Sequence, residues 1–139
     1  MENTPPRWLF WVGILLLLWN LVGIFAFITQ WNLSSADIAK LPDAQQQMWA
    51  QMGSVTWTAY AVAVLSGTFA AVMLLLRRKL ALGGFLLNVI ALLLQFSGPL
   101  GFAMAANELG MMVFPLFIIA VGIMELFLTR KWRNIGWLN

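Results

Sequence analysis

Three amide side chains interrupt otherwise apolar stretches of the sequence: Asn20, Asn88 and Gln95. An amide on an apolar helix turns toward other protein groups, because hydrocarbon offers it no hydrogen-bond partner. Asn88 and Gln95 are seven residues apart, which places them on one face of a helix. Pro99 lies four residues beyond Gln95 and has no N–H to donate to the Gln95 carbonyl, so this face is rich in acceptors.

These amides have two interpretations. They could line a small polar pocket for a neutral solute or water. Alternatively, they could lock a helix bundle through interhelical hydrogen bonds, each worth about 0.6–2 kcal/mol. We favour the lock, and under either interpretation we predict that Asn20 and Gln95 face the interior of the bundle.

Glu125 is the one ionisable residue in the last apolar stretch. Counted back from Arg130, it is expected only about 5–8 Å from the end of that stretch. Such a carboxylate could couple to a proton or a cation, or it could form an ion pair at the rim of the bundle with Arg130, Arg77 or Arg78, reached by snorkelling. We expect the ion pair.

The residue types that carry most enzyme chemistry are missing. The chain has no Cys and no His, the usual ligands of zinc, haem, copper and iron–sulfur centres. It also lacks a phosphate-binding loop, a nucleophile elbow and a pair of acids suited to acid–base catalysis. We therefore expect no metal, no cofactor and no enzymatic activity.

The elements that position these residues follow from composition. Hydrophobic residues make up 62% of the 139 residues and charged residues 9%, against about 25% charge in soluble domains. Uninterrupted apolar segments predict spanning helices at about 8–30, 55–76, 80–104 and 109–129. The fold class is therefore predicted as all-α, a single transmembrane four-helix bundle over 1–139, with a short amphipathic segment outside the membrane between spans 1 and 2.

The basic residues predict the orientation, because Lys and Arg accumulate in short cytoplasmic loops. Seven of the eight fall on one side of the predicted spans and only Lys40 on the other. The chain is thus expected to be a multi-pass protein of a bacterial inner membrane with both termini cytoplasmic. Its net charge of +3 would meet anionic lipid headgroups rather than nucleic acid. The seven are Arg7, Arg77, Arg78, Lys79, Arg130, Lys131 and Arg133.

A stripe of small residues runs along the second span: Ala59, Ala63, Gly67 and Ala71. Small residues at every fourth position let helix backbones approach closely, which is how helices associate in lipid. We predict that this stripe makes the closest helix–helix contact in the protein. Its partner is either another span of the same chain, which we favour, or a second subunit.

Motifs along the whole chain resemble, in order and spacing, a family of small bacterial four-span membrane proteins that are commonly labelled sugar transporters. The resemblance implies a four-span fold and suggests transport, but it carries over no functional residue. The matching segments are Phe10-Trp11, Leu18-Trp19-Asn20-Leu21-Val22-Gly23, Leu41-Pro42-Asp43-Ala44, Leu74-Leu75-Leu76-Arg77-Arg78-Lys79, Gln95, Pro115, Gly122-Ile123 and Gly136-Trp137-Leu138.

Two classes of function remain open. The first is a non-enzymatic accessory or scaffold protein that binds lipid or a protein partner. The second is a transporter or facilitator of a small neutral, sugar-like solute, which would need an oligomer because four helices rarely enclose a pathway. We favour the first, because no coupling charge is expected in the middle of the membrane. The expected partners are membrane lipids, with a homo-oligomer or a larger membrane complex as alternatives.

Overall fold

The computed structural model describes residues 3–139, and in that range all regular secondary structure is helical. Four helical segments, Trp8–Trp31, Ser54–Leu75, Leu80–Ala105 and Leu109–Ile135, are long and apolar enough to cross a membrane. The predicted all-α four-helix bundle is confirmed. The elements in chain order are α1 (Trp8–Trp31), α2 (Ser35–Ala39), α3 (Asp43–Ala50), α4 (Ser54–Leu75), α5 (Leu80–Ala105), a 3₁₀ turn (Leu109–Met112) and α6 (Val113–Ile135).

The fourth spanning segment is longer than its predicted range. It continues to Ile135 rather than ending near residue 129, and it stops at Gly136, whose φ of 91° lies in the left-handed region. A residue with a Cβ adopts that conformation at a cost, so glycine is the usual residue after a helix end. Arg130 therefore lies within α6 instead of beyond it.

The polar linker between the first two spans folds into two short helices. Ser34 caps α2, because its hydroxyl accepts the Asp37 backbone N–H at 3.1 Å while the Asp37 carboxylate accepts the Ser34 N–H at 3.2 Å. The Ser34 hydroxyl also donates to the Asp37 carboxylate at 2.8 Å, and this bond, followed by the one from the Ser34 backbone N–H, lowers the pKa of Asp37. The second linker helix, α3, begins after Pro42 and packs on α4 through Trp49 and Trp57, whose ring centroids are 5.5 Å apart.

Helix α4 is central to the packing, with α1 on one side and α5 on the other, while α6 packs on α5. All four residues of the small-residue stripe are buried, and Ala63 and Ala71 have no exposed surface. A Cβ built on Gly84 of α5 would lie 2.7 Å from the Cβ of Ala70. Helix α5 thus approaches α4 closely beside the stripe, and the stripe residues themselves are buried within the chain.

The two ends of the bundle differ in how they are filled. The basic end carries Arg7, the 77–79 turn and the C-terminal residues. There a cluster around Phe85, Leu74 and Leu138 closes the space between the helices. The linker end carries α2 and α3, and the cavity described below extends toward it. Elsewhere, large apolar side chains such as Leu15, Phe25 and Phe127 cover the outward faces of the helices.

Candidate functional site

A cavity of about 450 Å³ lies between the four long helices. It reaches from the middle of the bundle, at Asn20 and Glu125, to the linker end, where α3 contributes Met48 and Trp49 to its wall. Its walls are mainly apolar and aromatic, with polar groups both at its inner end and near the linker. Apolar walls with a small number of placed polar groups are typical of sites for small ligands. The polar lining residues within the long helices are Asn20, Gln30, Thr56, Tyr60, Asn88, Gln95 and Glu125.

Asn20 joins the first and last long helices. Its side-chain N–H₂ group donates to the Leu16 carbonyl of its own helix at 2.8 Å and to Glu125 Oε2 of α6 at 3.1 Å. Both residues are buried. Because an N–H₂ group has two hydrogens, these bonds use the full donor capacity of Asn20.

Asn88 occupies the same level of the bundle from the α5 side. Its Nδ2 donates to the Ala63 carbonyl of α4 at 2.7 Å. A Cβ on Gly67 would overlap Asn20 Oδ1 and lie 2.8 Å from Asn88 Nδ2. A Cβ on Gly122 would lie 3.2 Å from Asn88 Oδ1.

Gly67 therefore makes room for amide side chains, rather than for a second backbone as the stripe pattern predicted, and Gly122 makes room for Leu92 and Asn88. Each of the four long helices contributes to this level, either a polar side chain or the glycine that accommodates one. We call the three buried polar side chains at this level, Asn20, Asn88 and Glu125, the polar layer.

Gln95 lies on the same face of α5 as Asn88 but two turns, about 10 Å, further toward the linker end. It is 6% exposed and lines the cavity. Its Oε1 is buried and has no hydrogen-bond partner in the part of the chain that the structure describes. A buried acceptor without a partner costs about 1–3 kcal/mol, and this oxygen itself has no surface open to the cavity.

The rim ion pair expected for Glu125 is wrong. Its carboxylate is 1% exposed, accepts a hydrogen bond from Asn20, and lines the cavity. Because α6 continues to Ile135, Glu125 lies ten residues, about 15 Å, from the helix end. Arg130 is five residues further on, which rotates its side chain by about 140° around the helix axis, and it is exposed.

The other two predicted partners are also remote from the polar layer. Arg77 and Arg78 form the exposed turn between α4 and α5, where the backbone of Arg77 has a positive φ of 55°. Asn88 of the polar layer is nine residues beyond Lys79 on α5, so more than two helical turns separate it from that turn. The basic residues of the turn thus remain at the basic end, while the carboxylate lies in the middle of the bundle.

Aromatic side chains close the sides of the cavity. Trp19 on α1 contacts Phe117 on α6 edge to face, with ring centroids 5.7 Å apart. Toward the linker end, Phe27, Trp57 and Tyr60 form a second group, in which the Phe27 and Tyr60 rings are 5.0 Å apart. Trp19 and Tyr60 also line the cavity, so a bound molecule would meet aromatic surface beside the polar layer.

Comparison of the chain with protein-family models, with curated proteins and with solved structures finds no match. The cavity and its polar groups are therefore the basis on which a function is assigned.

The sequence pointed to the amides and to Glu125 but not to the way they combine. The side chains of Asn20 and Asn88 both lie against Gly67, and Asn20 donates a hydrogen bond to Glu125. Gln95 lies two turns further along α5. The contribution of the linker was also missed. The sequence predicted only an amphipathic segment outside the membrane, but four apolar side chains of this segment line the cavity: Leu41, Met48, Trp49 and Met52.

Proposed function

We propose that the chain is a multi-pass protein of a bacterial inner membrane, with the basic end and both termini in the cytoplasm. The apolar outward faces of the long helices support insertion in a lipid bilayer. The distribution of the eight Lys and Arg residues supports the orientation, since only Lys40 belongs to the linker end. In this orientation the cavity extends from the middle of the bundle toward the periplasmic side.

Topology reporters test this orientation. A reporter that is active only in the periplasm should stay silent when it is fused after Asn139 and should be active when it is inserted beside Gln46, which lies in α3. A cytoplasmic reporter at the same two sites should give the opposite pattern. The reverse result for both reporters would place the basic end outside and contradict the proposal.

We further propose that the protein is a non-enzymatic membrane protein that binds a small, largely apolar molecule bearing hydrogen-bonding groups in this cavity. The observation that carries the proposal is the cavity itself, whose inner end is lined by three buried polar side chains, Asn20, Asn88 and Glu125. Its volume of about 450 Å³ falls within the range of small-molecule sites. Lipid-like molecules with a polar group fit these walls best, because they match apolar sides and a polar interior.

Binding accounts for the geometry better than passage through the protein does. The cavity stops at the polar layer, and beyond it the basic end is filled by buried side chains such as Leu16, Phe85 and Trp132. A facilitator needs a path that can open to both sides, whereas a binding protein needs access from one side only. All four long helices of one chain line the cavity, so binding requires no second subunit.

Filling the cavity tests the binding proposal. Ala26 lines it from α1, and Ala26→Phe should abolish binding of a neutral probe, cyclohexylmethanol, because the ring occupies the space of the probe. Saturation-transfer NMR on the detergent-purified protein measures the binding. The matched control is Ala120→Leu, at an exposed position of α6 outside the cavity, which should retain wild-type affinity.

Two results would contradict the proposal. Absence of probe binding to the wild-type protein would contradict it directly. Equal binding to Ala26→Phe and to the wild type would place the probe outside the cavity. Uptake of a neutral sugar into proteoliposomes, dependent on the protein, would instead favour the facilitator.

A further inference from the structure

The charges around the cavity are unbalanced. Glu125 is the only acidic residue among the described residues that line it, and no lysine or arginine lines it. The carboxylate is 1% exposed, and the one hydrogen bond that a described residue donates to it comes from a neutral amide, Asn20, to Oε2. A carboxylate held in an apolar interior is costly unless it takes up a proton or meets a positive group.

The two amides near Glu125 each present an oxygen that can accept a hydrogen bond. Asn20 donates its two side-chain hydrogens to the Leu16 carbonyl and to Glu125, so only its oxygen is free to bind a ligand. Asn88, which also lines the cavity, adds a second oxygen, Oδ1, to which no residue within 3–139 donates a hydrogen bond. A ligand with hydrogen-bond donors can therefore satisfy these two oxygens as well as the carboxylate.

If the positive group that Glu125 meets is a cation, the cavity walls favour an organic cation over an inorganic one. An inorganic ion needs several oxygen ligands close together, and most of this cavity is lined by apolar and aromatic side chains, Trp19, Tyr60 and Phe96 among them. Aromatic faces attract organic cations, most strongly when both are removed from water. A volume of about 450 Å³ also exceeds what a bare ion would fill.

We propose that the cavity takes an organic cation with an apolar body and a protonated amine, and that Glu125 is its counter-ion. The ammonium group lies against the carboxylate in the polar layer, and the apolar body extends toward the linker end between the aromatic walls. This inference rests on the proposed function, since it names the class of ligand for the same cavity.

A pair of probes that differ in one group tests the inference. Cyclohexylmethylamine is protonated at pH 7, and cyclohexylmethanol has the same body with a neutral hydroxyl. Isothermal titration calorimetry on the detergent-purified protein at pH 7 should give at least tenfold tighter binding of the amine. Glu125→Gln keeps an oxygen that can accept from Asn20 but removes the charge, so it should weaken amine binding at least tenfold and change alcohol binding less than twofold.

The control variant is Glu108→Gln, which removes an exposed carboxylate outside the cavity and should leave the affinity for both probes unchanged. Equal affinity of the wild-type protein for both probes would overturn the inference and leave the proposed function standing, and this comparison requires no variant. Binding of neither probe would overturn both. Sodium ions that bind the wild-type protein at millimolar concentration in the same calorimeter, and that no longer bind Glu125→Gln, would identify an inorganic cation site and overturn the inference.

Discussion

Replacing Gly67 with leucine is expected to lower the free energy of unfolding by about 3 kcal/mol or more. Even a single Cβ at this position would overlap the Asn20 side-chain oxygen and approach Asn88 Nδ2 to 2.8 Å. A leucine would therefore displace both amides and break their hydrogen bonds to Glu125 and Ala63. The midpoint of thermal unfolding of the purified protein in detergent measures the loss.

The loss of stability in Gly67→Leu is compared with that of two further variants at glycine positions. Gly67→Ala should lower the midpoint by a smaller amount, because the atoms in its way are the ends of side chains that can rotate. Gly101→Leu is the control, since Gly101 is exposed on α5 and a Cβ there would meet nothing within 4 Å. Its effect is expected to stay within about 0.5 kcal/mol.

Gly67→Leu also tests whether the small-residue stripe packs within one chain or between two subunits. A monomer of lowered stability is the expected result, because the stripe is buried within the chain. If Gly67→Leu instead dissociated an oligomer and left a monomer of wild-type stability, the stripe would be a contact between subunits. Equal midpoints for Gly67→Leu and Gly101→Leu would contradict the packing of the amides on Gly67.

Periodicity and composition were sufficient to predict the helices, because the cost of exposing a backbone in lipid leaves few alternatives. The spacing of Asn88 and Gln95 was likewise sufficient to place them on one face of α5. Both predictions depend only on residues within a single helix. Information of this kind can be obtained from the sequence without knowing how the helices pack.

The partner of Glu125 could not be predicted in this way, since it depends on where a helix ends and which helix faces it. Arg130 was taken as the end of the helix, but α6 continues for five more residues to Ile135 because the first left-handed residue after it is Gly136. That extension moves the carboxylate from the rim to the middle of the bundle. The linker presented a similar difficulty, since its apolar face fits a membrane surface and a protein cavity equally well.

Replacing Asn20 with leucine is expected to lower the free energy of unfolding by about 2–3 kcal/mol. The substitution removes the hydrogen bond to Glu125 and leaves a buried carboxylate that no other described residue contacts through a hydrogen bond. Asn32→Leu is a matched control. Asn32 makes the same bond to the carbonyl four residues earlier, at 2.8 Å, but it is exposed at the end of α1, so its replacement should cost less than about 1 kcal/mol.

A double-mutant cycle separates the Asn20–Glu125 interaction from the loss of each side chain. In a Glu125→Met background the carboxylate is already absent, so Asn20→Leu should cost at least about 1 kcal/mol less than it does in the wild-type protein. Denaturant titration of the four proteins in mixed micelles gives the difference, and additive losses would show that the bond contributes nothing to stability. Cyclohexylmethanol binding by Asn20→Leu then distinguishes the two roles of the polar layer. If the amide only locks the helices, stability falls while affinity is retained, whereas a fall in both means that the residue that joins α1 to α6 also shapes the site.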